Sequence, residues 1–247
     1  MAIALVQQTW AALTATASQN ITIPATGAGN FLLLGVNENA ASTAAVWTPT
    51  ATGATFIAPT VVTVTNGPPP VGWQTGTNSF TSYGYAAAVT SGITTITIAQ
   101  SGTARSGNIG ITEWSGVASA SYVNVSTGAG AATATSQTTV ALPTTVAGGV
   151  VVGAIGCPTT STATLAAASC VPTTGWTALT GSTTNCTNSS AYQVFASTQS
   201  GAKVAWTLGA TSPVGIVAIA LAPAAAAAVT PPRTLVISQA SKRAANY

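Results

Sequence analysis

The sequence predicts an all-β protein: two tandem antiparallel β-sandwich units written as an internal repeat, followed by an extended C-terminal arm. Three observations predict it. VVTVT (61–65) and ITTITI (93–98) set apolar residues against hydroxyl residues, largely with period 2, the pattern of a half-buried strand. Gly, Pro, Asn and Ser punctuate the chain at short intervals, as at NGPPP (66–70), TSG (90–92) and TQSG (198–201), the spacing of turns in a sandwich or barrel. Finally, LTATASQNITIPATGAGNFLLLGV (13–36) aligns without a gap on ATATSQTTVALPTTVAGGVVVGAI (132–155), at an offset of 119. No long run of 3.6-period amphipathicity competes with these signals.

Taken in order, the elements of the two copies correspond. IALVQQT (3–9) opens the first unit and SYVNVST (121–127) the second. Pro24 and Pro143 mark strand boundaries, because proline cannot donate to a ladder. An Ala-Gly step then leads into FLLLGV or GVVVGAI. Both runs are apolar on successive residues, as suits the centre of a sheet. Gly72-Trp73 matches Gly175-Trp176, and both tryptophans are expected as core caps. SYGYAAAVTSGITTITI (82–98) matches SAYQVFASTQSGAKVAWTL (190–208), a strand, a glycine turn and a strand. GNIGITEWSGVA (107–118) matches SPVGIVAIALAPA (212–224) as the closing strand. The offset falls from 119 to between 103 and 107, so the first copy holds about a dozen extra residues, expected between 40 and 65. The expected units are 1–118, 119–223 and an arm at 224–247. Each repeat is long enough for a sandwich of jelly-roll or immunoglobulin-like topology. The alternative is that the two copies are halves of a single larger jelly roll.

Charge bounds the chemistry. Five Lys or Arg, two Glu and no His are present, so 3% of the chain is charged where soluble domains average about 25%. General acid–base catalysis, a Ser-His-Asp triad and a His-based metal site lack their parts. Glu38 and Glu113 could serve a glycosidase if paired, but nothing in the sequence brings them together. Cys157, Cys170 and Cys186 have no metal-ligand spacing and are expected as structural thiols, with one disulfide open in an oxidising setting. No enzyme activity and no cofactor is therefore expected.

The net charge of +3 sits wholly in the last 15 residues, too few cations for a nucleic-acid footprint. MAIALVQQTW lacks a basic n-region and an adequate apolar h-region, so no signal peptide is expected. SPVGIVAIALAPAAAAAV (212–229) is interrupted by Pro213 and Pro223. It is expected to be a buried strand and an Ala linker rather than a membrane span. A surface with so little charge repels its own kind weakly and tends to associate.

The end of the chain changes character. PAAAAAVTPP (223–232) is a linker, and RTLVISQASKRAANY follows. TLVIS is one strand long and has no partner in its own unit, the form of a segment that adds to another sheet edge. Arg233, Leu235, Val236, Ile237, Lys242 and Arg243 are the expected partner-binding residues.

The pattern ITIP…AGNFLLLGV…GW…SYGYAAAV…ITTITI…GNIGITEWSGV resembles a family of β-sandwich structural proteins of tailed phages, also found in some bacterial surface proteins. That family has a TxP…AG(D/N)-LLL opening and an EYSG-like closing strand. Here Glu113-Trp114-Ser115-Gly116 closes the first copy, with Trp for Tyr, and the second copy's IVAIALA lacks the Glu. The resemblance spans residues 3–223 and its motifs are structural. It implies a non-enzymatic virion protein, a capsid decoration or cement protein that stabilises subunit contacts. Its implied partners are the major capsid protein or other virion proteins and further copies of itself, with no nucleic acid and no membrane. The implied location is the virion, after synthesis in the host cytoplasm. The alternatives are a tail or fibre module, or a carbohydrate-binding adhesive module presenting Trp47, Trp73, Tyr83 and Tyr85.

Overall fold

The structure, a computed structural model, describes residues 2–40, 46–65, 78–86, 88–101, 106–128, 134–138, 142–144, 146–158, 163–179, 186–212 and 215–225. The chain is all-β, as its alternation predicts. Among the described residues there is no α-helix, only a 3₁₀ turn at Ala167–Ser169. In chain order the strands are β1 (Ala4–Leu13), β2 (Ser18–Thr22), β3 (Phe31–Ala40), β4 (Val46–Thr50), β5 (Phe56–Thr65), β6 (Asn78–Ala86), β7 (Thr95–Ser101) and β8 (Gly107–Ser115). There follow β9 (Val117–Gly128), β10 (Ala134–Thr138), β11 (Leu142–Thr144), β12 (Val150–Pro158), β13 (Ala163–Leu165), β14 (Thr177–Leu179), β15 (Cys186–Val194), β16 (Ser200–Ala202), β17 (Ala205–Ser212) and β18 (Gly215–Pro223).

All pairing among the described residues is antiparallel. A first inner sheet has the order β1-β8-β3-β6-β5 and faces a first outer sheet, β2-β7-β4. A second inner sheet runs β9-β18-β12-β15-β14 and faces a second outer sheet, β10-β17-β13. A ribbon of β11 and β16 completes the set. With the β11–β16 ribbon left out of the count, the strand order from the start of each half is the same in both inner sheets and in both outer sheets.

The stacking follows from which residues alternate to which side. Leu32, Leu34, Ile109 and Ile111 point from the first inner sheet onto Ile21, Trp47, Ile96 and Ile98 of the first outer sheet. Val151, Ile155, Ala218 and Ala220 of the second inner sheet meet Trp206 and Leu208 in the second outer sheet. The other faces of the two inner sheets meet each other. Phe31, Leu33 and Trp114 pack against Val150, Val152, Leu179, Ile219 and Leu221. The result is a stack of four sandwich-like layers with three apolar seams. Each fully buried Leu, Ile or Phe in such a seam contributes about 1.5–3 kcal/mol.

This explains the uninterrupted apolar runs. Phe31–Leu34 and Val150–Ile155 are buried along their length, because both faces of each inner sheet are covered. In β8 every residue from Gly107 to Trp114 is buried. The edge strand β1 carries a bulge between Leu5 and Gln7 and turns Val6 out to 51% exposure. A bulge of this kind interrupts the ladder of an edge and blunts its pairing with another chain.

One sequence match shifts. Ile57 pairs with Tyr85 and Thr177 with Tyr192, while Leu33 and Val152 pair with the same two tyrosines. By position in the sheets, Trp176 therefore corresponds to Phe56 and not to Trp73. Both Phe56 and Trp176 pack against the core of their own half. The extra length of the first half falls between Ile57 and Tyr85, because the offset is still 120 at Ile57 and becomes 107 at Tyr85; the bulge between Ile57 and Val62 holds part of it, within the expected 40–65, and the rest lies beyond Val62. Trp73 itself lies outside the described residues, as does the arm from 226 onward. Within the apolar stretch 212–229, Gly215–Pro223 forms β18 between β12 and β9, and no helix among the described residues is long and apolar enough to cross a membrane.

Candidate interaction surfaces

The carboxylate in the closing motif is a structural clamp. Glu113 is 1% exposed. Its Oε1 accepts from the Gly27 backbone N–H at 2.8 Å and from Asn30 Nδ2 at 2.6 Å. Its Oε2 accepts from Gln7 Nε2. The side chain thus ties β1, the loop before β3 and β8 together, and joins the AGN and EWSG motifs in space. The register places Leu32 opposite Glu113 and Glu38 opposite Gly107. Six residues of strand separate the two glutamates, roughly 20 Å at about 3.3 Å per residue, well beyond the ~5–9.5 Å that glycoside hydrolysis uses.

The rest of the motif is equally structural. Trp114 Nε1 donates to Thr112 Oγ1 at 2.8 Å, and its ring meets Tyr192 edge-on across the central seam, centroids 5.2 Å apart. Gly116 turns the chain from β8 into β9 at φ 74°. A Cβ there would lie 2.4 Å from the Ala2 carbonyl oxygen, so only glycine serves.

The aromatic candidates separate. Trp47 is 3% exposed in the first core and offers no stacking platform to a sugar, which corrects its place among the adhesive candidates. Trp176 is core-associated as expected: its Nε1 donates to the Pro172 carbonyl at 2.9 Å, and its ring stands edge-on to Phe195. Tyr83 and Tyr85 lie on β6, but their side chains, with Trp73, fall outside the described residues.

Cys170 is buried beside the second core. Burial pushes its thiol above the ordinary value, a shift opposed by the Ala205 backbone N–H, which donates to Sγ at 3.3 Å. Cys157 pairs with Thr187 and Cys186 with Pro158, so the two cysteines occupy successive rather than opposite register positions. Among the described residues no group of three or more His, Cys, Asp or Glu could hold a metal. The arm residues Arg233, Leu235, Val236, Ile237, Lys242 and Arg243 lie outside the described residues.

What the two outer sheets offer is hydroxyl-rich and uncharged. On the first outer sheet, Asn20 pairs with Thr97 and Thr97 with Thr50, a row running straight across three strands. Thr97 Oγ1 donates to Asn20 Oδ1 at 2.8 Å. Ser18, Thr22, Thr48 and Thr95 flank the row and are exposed. A shallow depression of about 480 Å³ lies there, lined by Thr50, Ala51, Thr52, Thr95 and Thr97. On the second outer sheet, Ser136 pairs with Thr207 and Thr207 with Thr164, and all three are exposed. The six outer strands contain no Asp, Glu, Lys or Arg. Sequence reading found the Thr-rich alternation but not these rows, since a row is made by register between strands up to 77 residues apart.

No protein-family model matches the chain, and neither a curated protein nor a solved structure does.

Proposed function

We propose that the chain is a non-enzymatic structural protein of a virus particle, a decoration protein seated on a capsid. In this reading it is built from two copies of one β-sandwich unit and a C-terminal arm that docks on a neighbour. The observation that carries the proposal is the pair of outer faces without an ionisable side chain. Hydroxyl and carboxamide groups there can exchange hydrogen bonds with a protein surface at low desolvation cost, whereas a buried charge would need a partner. Three further features support it. The carboxylate that could have done chemistry is consumed as a clamp. With the β11–β16 ribbon set aside, the strand order is the same in both halves. The resemblance to phage structural proteins rests on the AGN and EWSG motifs, which meet at Glu113.

The test is electron microscopy of native particles labelled with an antibody against this chain. Label over the icosahedral shell is the expected outcome. Label confined to a tail or fibre would move the role to host contact, and unlabelled particles would overturn the proposal. Deleting residues 224–247 should abolish or sharply weaken particle binding. Full decoration by the truncated chain would remove the arm from the mechanism.

A further inference from the structure

The two hydroxyl faces lie on counterpart strands of the two halves, β2-β7-β4 and β10-β17-β13. Across the central seam the two inner sheets meet through β6 with β12 and β18, β3 with β12 and β15, and β8 with β15. Because the inner sheets face each other and each outer sheet covers the far side, the stacking puts the row Asn20–Thr97–Thr50 and the row Ser136–Thr207–Thr164 at opposite ends of the stack. With layers about 10 Å apart, the two faces stand roughly 30 Å from each other and look in opposite directions.

Area and charge decide what such faces can bind. Three strands about 4.8 Å apart and some five residues long cover roughly 14 by 17 Å, or about 250 Å². A stable protein interface uses about 800 Å² per partner, so one face alone makes only a weak contact. The strands of neither face contain a cation to hold a phosphate or an anionic lipid. Two weak faces fixed on one rigid block become strong only when both are engaged at once, which requires a partner presented in repeated copies.

We propose that these faces are two equivalent docking surfaces through which one molecule bridges two copies of the same uncharged protein surface, itself bearing hydroxyl and amide groups. The inference rests on the particle-decoration reading and adds to it the mode of attachment. The test uses particles assembled without this chain, to which the purified full-length chain is added and bound protein measured by co-sedimentation. Thr50→Lys charges one face, Thr164→Lys the other; both positions are exposed, and Thr50→Ser with Thr164→Ser is the conservative control. Each single Lys variant should weaken binding about 10²-fold or more. The double Lys variant should show no binding, and the Ser control should bind as wild type. Circular dichroism melts identify any variant that has lost its fold. Binding unchanged in both single variants, or one single variant as impaired as the double, would overturn the bridge and leave decoration standing. Failure of the wild-type chain to bind would overturn decoration and the bridge with it.

Discussion

Glu113 is held by three donors drawn from positions 7, 27 and 30. By position in the sheets its counterpart in the second half is Ala220, opposite Val151 as Glu113 is opposite Leu32. The counterpart of Asn30 is Gly149, one residue before β12 as Asn30 is before β3. The acceptor and its Asn30 donor are thus both replaced in the second half. Glu113→Ala should cost roughly 3 kcal/mol or more, since buried donors are then left unsatisfied; urea denaturation reads the loss. Adding Asn30→Gly to Glu113→Ala should cost less than the sum of the two single changes, as a double-mutant cycle reports for residues in contact. Sequence reading offered Glu113 as part of a closing strand or as one of two glutamates for a glycosidase, not as a clamp. Its partners are 83 to 106 residues away, where no local pattern reaches. Cys170 supplies a pH signature. Its thiol is raised in the folded chain by burial, so the folded state favours the neutral form. Its contribution is intact below the unfolded thiol value of about 8.5 and is lost as pH rises through that value toward the higher folded one. Thermal melts from neutral to alkaline pH should fall more steeply for wild type than for Cys170→Ala; parallel curves would contradict this.

Among the elements, β8 shows what covering both faces demands. Gly110 lies under Trp10, its partner across the β1–β8 ladder, and a Cβ at Gly110 would sit 2.4 Å from the Trp10 six-membered ring. Gly110→Ala should therefore destabilise by roughly 1–3 kcal/mol through overpacking. Trp10→Leu in the same chain should relieve much of that loss, and chemical denaturation of the three variants measures it. The alternation in ITTITI was enough to place β7 correctly: Ile96 and Ile98 are buried, and the threonines beside them face solvent or lie at the surface. The runs FLLL and VVV were also legible as strands of a sheet centre. What covers their second face was not, because an unbroken apolar run gives no sign of which face meets which neighbour.

At the scale of the molecule, two tandem units suggested two independent cores, and the sheets instead share a third. Phe31, Leu33 and Trp114 on one side and Val150, Val152 and Ile219 on the other are all at most 2% exposed. A seam of this kind is a core rather than a linker, so the chain should melt in one calorimetric transition. Leu33→Asp, placing a charge in the seam, should lower the melting temperature of the whole chain rather than split off one half. Two resolved transitions in the wild-type scan would show that the halves unfold separately. The all-β class was legible because it is written in local periodicity. The seam was not, because it depends on complementary shape between Trp114 and Tyr192, residues that no spacing rule connects.

The seam also sets a timetable for synthesis. Strands β1 to β8 are complete once Ser115 has been made, but the sheet that covers Phe31, Leu33 and Trp114 ends only at Pro223. At about 5–20 residues per second, the ribosome leaves that apolar face uncovered for roughly 5–20 s on every chain. During that interval the same face on two nascent chains can meet before its proper cover arrives. Crowded polysomes and fast induction therefore favour tangled pairs, and slowing translation before residue 118 spaces the chains and raises the yield of correctly closed molecules.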